Sequence, residues 1–117
     1  MTTRHKVLLP APYDGMLSAY AGALAGSPLA DSSRARYLSR VQGFLAWTAG
    51  AAADGTVAGN PLADLTAAAR TAHLYHRRLR DGGYAPATID GALAAIDDFY
   101  ARRGLGATGA RRERARP

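Results

Sequence analysis

Pro86-Ala-Thr-Ile-Asp-Gly-Ala-Leu-Ala-Ala-Ile-Asp-Asp-Phe-Tyr100 places Ile89, Leu93, Ile96, Phe99 and Tyr100 at spacings of three and four. That is the period of a helix with one apolar face, so the stretch predicts an amphipathic α-helix and not a strand. Pro86 suits the first turn, where its missing N–H breaks no intrahelical bond. Gly104-Leu-Gly106 ends the helix. A stripe this regular has to be buried against other elements, and the rest of the chain offers three.

Leu17, Tyr20 and Leu24 recur at helical spacing from Tyr13 onward, which predicts a first helix to about Ala25, stopped by Gly26-Ser27-Pro28. Asp31 sets a carboxylate in the first turn of a second helix, where it favours the helix dipole. Tyr37, Val41, Phe44, Leu45 and Thr48 form its stripe, with Arg36 and Arg40 on another face and an expected end near Gly50. Residues 50–62 read as a connector of small residues. Asp64 or Thr66 can cap a third helix, in which Leu65, Ala68, Ala72, Tyr75 and Leu79 follow a three-four pattern until Asp81-Gly-Gly83. No stretch of useful length alternates with period two, so no sheet is expected, and no internal repeat is visible. The expectation is an all-α, compact four-helix bundle over 14–105, with an extended lead-in over 1–13 and a fifth short helix or basic linker over 106–117.

The chain of 117 residues fits one domain, and 48% hydrophobic residues support one modest core. It has no cysteine, which excludes a disulfide framework or thiolate metal site and suits a reducing cytoplasm. No apolar run approaches the roughly 20 residues of a membrane span, and the three-residue apolar run at Val7-Leu-Leu9 is too short for a secretory signal. The expected protein is cytoplasmic, with no membrane partner. Fifteen basic residues stand against nine acidic ones, a net charge of +6, with a pI of about 10.3. Half of that excess lies in the tail, where Arg111, Arg112, Arg114 and Arg116 outnumber Glu113. Such a balance points to a polyanionic partner, nucleic acid before an acidic membrane surface. The bland alternative is a general arginine bias in composition.

Two stretches carry a more specific signal. One is Leu29-Ala-Asp-Ser-Ser-Arg-Ala-Arg-Tyr-Leu-Ser-Arg-Val-Gln-Gly-Phe-Leu-Ala-Trp47, in which a polar pair opens a helix ending in Phe-Leu-x-Trp. The other is Gly83-Tyr-Ala-Pro-Ala-Thr-Ile89 with the aromatic pair Phe99-Tyr100 beyond it. In this order and separation they resemble the N-terminal core-binding domain of tyrosine recombinases of the phage-integrase class, over roughly residues 14–105. The resemblance implies a SAM-like helical fold that clamps duplex DNA for integration or site-specific recombination. The partners it implies are duplex DNA, a catalytic domain following Pro117 in the parent protein, and other recombinase protomers in a synapse.

The resemblance places groove contacts at the openings of the second and fourth helices. Ser32, Ser33 and Thr88 become candidate phosphate ligands, since a hydroxyl beside helix N-terminal amides suits a phosphate oxygen. Arg36 lies where a guanidinium can read guanine through two hydrogen bonds, and Arg40, one turn on, would meet the DNA backbone. The structural alternative is that the serines only satisfy helix-end amides and the arginines form a solvated face. One departure weakens the fourth helix: Asp90 and Gly91 stand where many members of the family carry basic or amide residues.

His73 and His76, three apart on the third helix, could approach one metal, but no third ligand accompanies them. They read as surface histidines beside Arg77 and Arg78, and neither a metal nor a cofactor is expected. The chain is not expected to be an enzyme. The family's tyrosine nucleophile acts among arginines, a lysine and histidines of another domain, whereas Tyr37, Tyr75 and Tyr100 here fall on apolar stripes. No His-x-x-Arg occurs in the chain. Two other readings are kept: a helical protein-interaction module, which would expose an apolar patch, and a small enzyme built on His73 and His76.

Overall fold

The apolar stripes become four helices: α1 (Tyr13–Ala25), α2 (Asp31–Ala53), α3 (Leu65–Asp81) and α4 (Pro86–Arg102). The computed structural model of the chain describes residues 9–105 together with residue 108, and no strand forms among them. The expected linker or fifth helix over 106–117 lies outside the described residues, apart from Thr108, and so does most of the expected lead-in. α2 and α4 pack on each other at the centre, with α1 mainly against α2 and α3 mainly against α4. No described helix is long and apolar enough to cross a membrane.

Val41, Phe44, Leu45, Leu93, Ile96, Phe99 and Tyr100 are all at most 1% exposed, so the stripes of α2 and α4 form the core as their spacing predicts. Burying side chains of this size stabilises by roughly 1.5–3 kcal/mol each. A file of aromatic rings threads the four helices together. Tyr20 of α1 meets Phe99 of α4 edge-on at 5.5 Å, and Phe99 adjoins Tyr100 at 5.1 Å. Tyr100 reaches Phe44 of α2 at 6.1 Å, and Phe44 meets Tyr75 of α3 at 5.2 Å. Edge-to-face pairs of this kind add about 0.5–1.5 kcal/mol beyond the area they bury.

Three expectations need correction. α2 runs to Ala53, past Gly50, because Ala51, Ala52 and Ala53 favour helix. The stop comes where the Asp54 carboxylate accepts from the backbone N–H and hydroxyl of Thr56, and Gly55 turns into the left-handed region at φ +84°. Leu65, expected on the stripe of α3, is 44% exposed. His76, expected at the surface, is 1% exposed. The inner face of α3 runs through Ala68, Ala72, His76 and Leu79, and the two alanines let the helix sit close enough to bury the imidazole.

The connector between α2 and α3 is tied down and not a slack loop. Val57 and Leu62 are buried, the Tyr100 hydroxyl donates to the Pro61 carbonyl at 2.8 Å, and the Arg103 guanidinium donates twice to the Leu62 carbonyl. Asp64 then caps α3, its carboxylate accepting from the Thr66 N–H at 3.1 Å.

Candidate nucleic-acid interface

Ser32, Ser33, Arg36 and Arg40 share one side of the first three turns of α2. Positions four apart drift by about 40° around a helix of 3.6 residues per turn, so 32, 36 and 40 form a shallow spiral with 33 alongside. Ser32 and Arg36 are exposed, while Ser33 and Arg40 are half-buried. Thr88, exposed in the first turn of α4, comes from a segment 48 residues beyond Arg40, and the fold joins the two. Arg40 Nη1 donates to the Thr88 carbonyl oxygen at 2.9 Å. A guanidinium has five donor hydrogens, so this bond occupies one and leaves the group able to serve a second acceptor.

The two helix openings are alike. Ala30 and Ala85 are the N-caps of α2 and α4, both in extended backbone, and neither offers a side-chain cap. The first amides of a helix have no intrahelical acceptor, and here the cap residue supplies none. Ser33 and Thr88 occupy the same third position in their helices. Two uncapped openings, carrying hydroxyls and braced by one arginine, present amides and a cation together.

Acidic groups temper this surface. Asp31, in the first turn of α2, accepts from Arg34 Nη1 at 2.9 Å, and Arg34 Nη2 also donates to the Ser27 carbonyl. Arg34 is therefore committed to the turn between α1 and α2, and it offsets the one carboxylate nearest the serines. The Asp31 side chain is 98% exposed, so the pair itself contributes little to stability. Asp90 follows Thr88 on α4 and keeps that opening less positive than the opening of α2.

Gly91 has a role in how α2 meets α4. A Cβ built there would lie 2.7 Å from Arg40 Nη1 and 3.4 Å from its Cζ, so any larger residue would push the guanidinium from its place against α4. Sequence reasoning missed this role, because nothing local in a helix signals a side chain arriving from another one.

A second titratable cluster joins α1 to α4. Asp98 Oδ2 accepts from the Tyr20 hydroxyl at 2.7 Å and from Arg102 Nε at 2.8 Å, tying α1 to the end of α4. Burial, reinforced by the hydrogen bond to Asp98, pushes the Tyr20 hydroxyl well above its ordinary range. Burial does the same to Tyr100 and, less strongly, raises Tyr75. Among the described residues no three His, Asp or Glu side chains gather as a metal site. Set against known proteins, the chain matches no family model, no curated sequence and no solved structure.

Proposed function

We propose that this chain is a cytoplasmic, non-catalytic duplex-DNA-binding domain, the core-binding part of a tyrosine recombinase or integrase. It clamps DNA while a separate catalytic domain performs strand exchange with other protomers. Ser32, Ser33 and Thr88 hold phosphates, Arg36 faces base edges, and Arg40 secures the helix openings while reaching the DNA backbone. The single observation that carries the reading is the Arg40–Thr88 hydrogen bond. It brings the openings of α2 and α4, which carry the candidate contact residues and lie 48 residues apart at Arg40 and Thr88, within hydrogen-bonding distance of each other.

The protein-interaction alternative has less support. The large hydrophobic residues exposed among the described ones are Leu65, which opens α3, and Tyr84, which lies past its other end on the turn into α4. At about 1.5 Å per residue they stand more than 20 Å apart along that helix and do not make one patch.

The test is fluorescence anisotropy of a labelled duplex across a salt series. Each phosphate contact contributes about −0.9 to the slope of log affinity against log salt. The expected result is weak binding that strengthens as salt falls and is reduced by Ser33→Ala. Salt-independent binding, or none at low salt, overturns the reading.

A further inference from the structure

A groove runs between α2 and the C-terminal end of α3, enclosing about 760 Å³. Pockets that hold small organic ligands are commonly 300–1,000 Å³. Trp47 and Tyr75 form one wall, their rings 5.3 Å apart and tilted by 47°. Tyr84, on the turn into α4 and with 55% of its surface exposed, also lines the groove. One edge of its ring lies close to Gly82: a Cβ there would come within 3.2 Å of Tyr84 Cε2 and 3.3 Å of Cδ2. Gly43 keeps the floor open down to α2.

Arg78 supplies a cation at the groove, and Arg70, Arg77 and Arg80 are exposed along the same helix. That field favours an anionic occupant. Asp81 is the acidic residue of the lining, and a lone carboxylate beside stacked rings can accept from an exocyclic amine. Position narrows the choice further. Gly43 lies one turn beyond Arg40, and Tyr84 four residues before Thr88, so the groove opens beside the proposed duplex surface.

We infer that this groove is a stacking site for one unpaired nucleobase of DNA held on the Arg40–Thr88 surface. The inference rests on the duplex-binding reading. Trp47 and Tyr84 offer the aromatic faces, Arg78 meets the neighbouring phosphate, and Asp81 favours a base with an exocyclic amine. Stacking on an aromatic face is worth about five- to a hundredfold in affinity per base. Pulling a paired base out of a duplex consumes a gain of that size. The site therefore selects a base that is already extrahelical, as in a bulge, and leaves intact duplex undisturbed.

Trp47 is the single tryptophan, so fluorescence excited beyond the tyrosine band reports on the wall of this groove. The full chain is titrated with three duplexes of one sequence: fully paired, with a one-cytosine bulge, and with an abasic residue in the bulge. Expected are about tenfold tighter binding and Trp47 quenching for the cytosine bulge over the other two. Tyr84→Ala, at an exposed position, and Gly43→Leu, which fills the floor, should each remove that preference and leave fully paired duplex binding unchanged. A circular dichroism melt confirms that both variants fold. Equal binding of all three duplexes with Trp47 unmoved overturns the groove assignment while the duplex reading stands. A peptide-binding groove would give that silence. Binding to none of the three overturns both.

Discussion

The guanidinium of Arg40 rests against Gly91 while donating to the carbonyl of Thr88, so one arginine of α2 sets the position of the first turn of α4. Gly91→Ala should therefore bring two opposed effects. Alanine gains up to about 1 kcal/mol of helix propensity. The new methyl displaces Arg40 and forfeits a hydrogen bond worth about 0.5–1.5 kcal/mol. The expected net change in the wild-type background is within about 1 kcal/mol of zero. In an Arg40→Ala background the same change should be stabilising by about 1 kcal/mol, because nothing is left to displace. Urea denaturation of the four proteins measures the coupling. Equal effects of Gly91→Ala in both backgrounds would show that the contact carries no energy.

Leu93→Ala and Phe99→Ala, each at a position 1% exposed, should cost about 2–5 kcal/mol, a large share of a small domain's stability. Leu65→Ala, at a position 44% exposed, should change stability by less than about 0.5 kcal/mol. Thermal melts followed by circular dichroism separate the two classes. A Leu65 variant as damaged as the Leu93 variant would contradict the packing described here.

Arg36→Ala should cost about 1–3 kcal/mol on the best sequence recovered from a random duplex library and much less on random DNA. Ser33→Ala should weaken both alike, since phosphate contacts carry no sequence information directly. Competition binding with both duplexes decides. An equal loss on both for Arg36→Ala would make it a phosphate clamp, and no loss on either would move the DNA surface elsewhere.

The buried hydroxyls of Tyr20 and Tyr100 hold their protons to higher pH than an unfolded tyrosine, which ionises near pH 10. Above that pH the unfolded chain has released protons that the folded chain still binds. Stability is thus fully present below about pH 10 and falls as pH rises further. Melts between about pH 8 and pH 11 should show this fall. Tyr100→Phe should lessen it, while costing about 1 kcal/mol at neutral pH through the lost bond to Pro61. A variant with the same alkaline slope as wild type would assign the fall to other groups.

The four helices were legible because each carries an apolar period and a recognisable start or stop: Gly26 for α1, Asp31 for α2, Asp64 and Gly83 for α3, and Pro86 and Gly104 for α4. Of these, Gly83 and Gly104 adopt the left-handed backbone expected of glycine at a helix end. Where the reading failed, neighbours decided. Leu65 has the right spacing but lies in a first turn that nothing covers, and His76 has a polar ring yet falls where two alanines draw α3 inward. Ser32, Ser33, Arg36 and Arg40 could be placed on one side of a helix from spacing alone. The bond from Arg40 to Thr88, the space at Gly91 and the convergence of Trp47 with Tyr84 could not, because helix periodicity says nothing about how two helices dock.

The tie between the connector and the end of α4 has a mechanical consequence. α4 has 17 residues and is about 25 Å long. Its far end is gripped on two sides, by Tyr20 on Asp98 and by Tyr100 and Arg103 on Pro61 and Leu62. Its near end is steadied by Arg40. The helix is a beam clamped at one end and propped at the other, and Thr88 stands ten to twelve residues from the clamp, so a tilt of about five degrees would carry it by about 1.5 Å. Ile89, Ala92 and Leu93, at 4%, 5% and 1% exposure, pin the helix between those two points, so drawing Arg40 off Thr88 would loosen the turn before Ile89 and leave the rest of α4 in place.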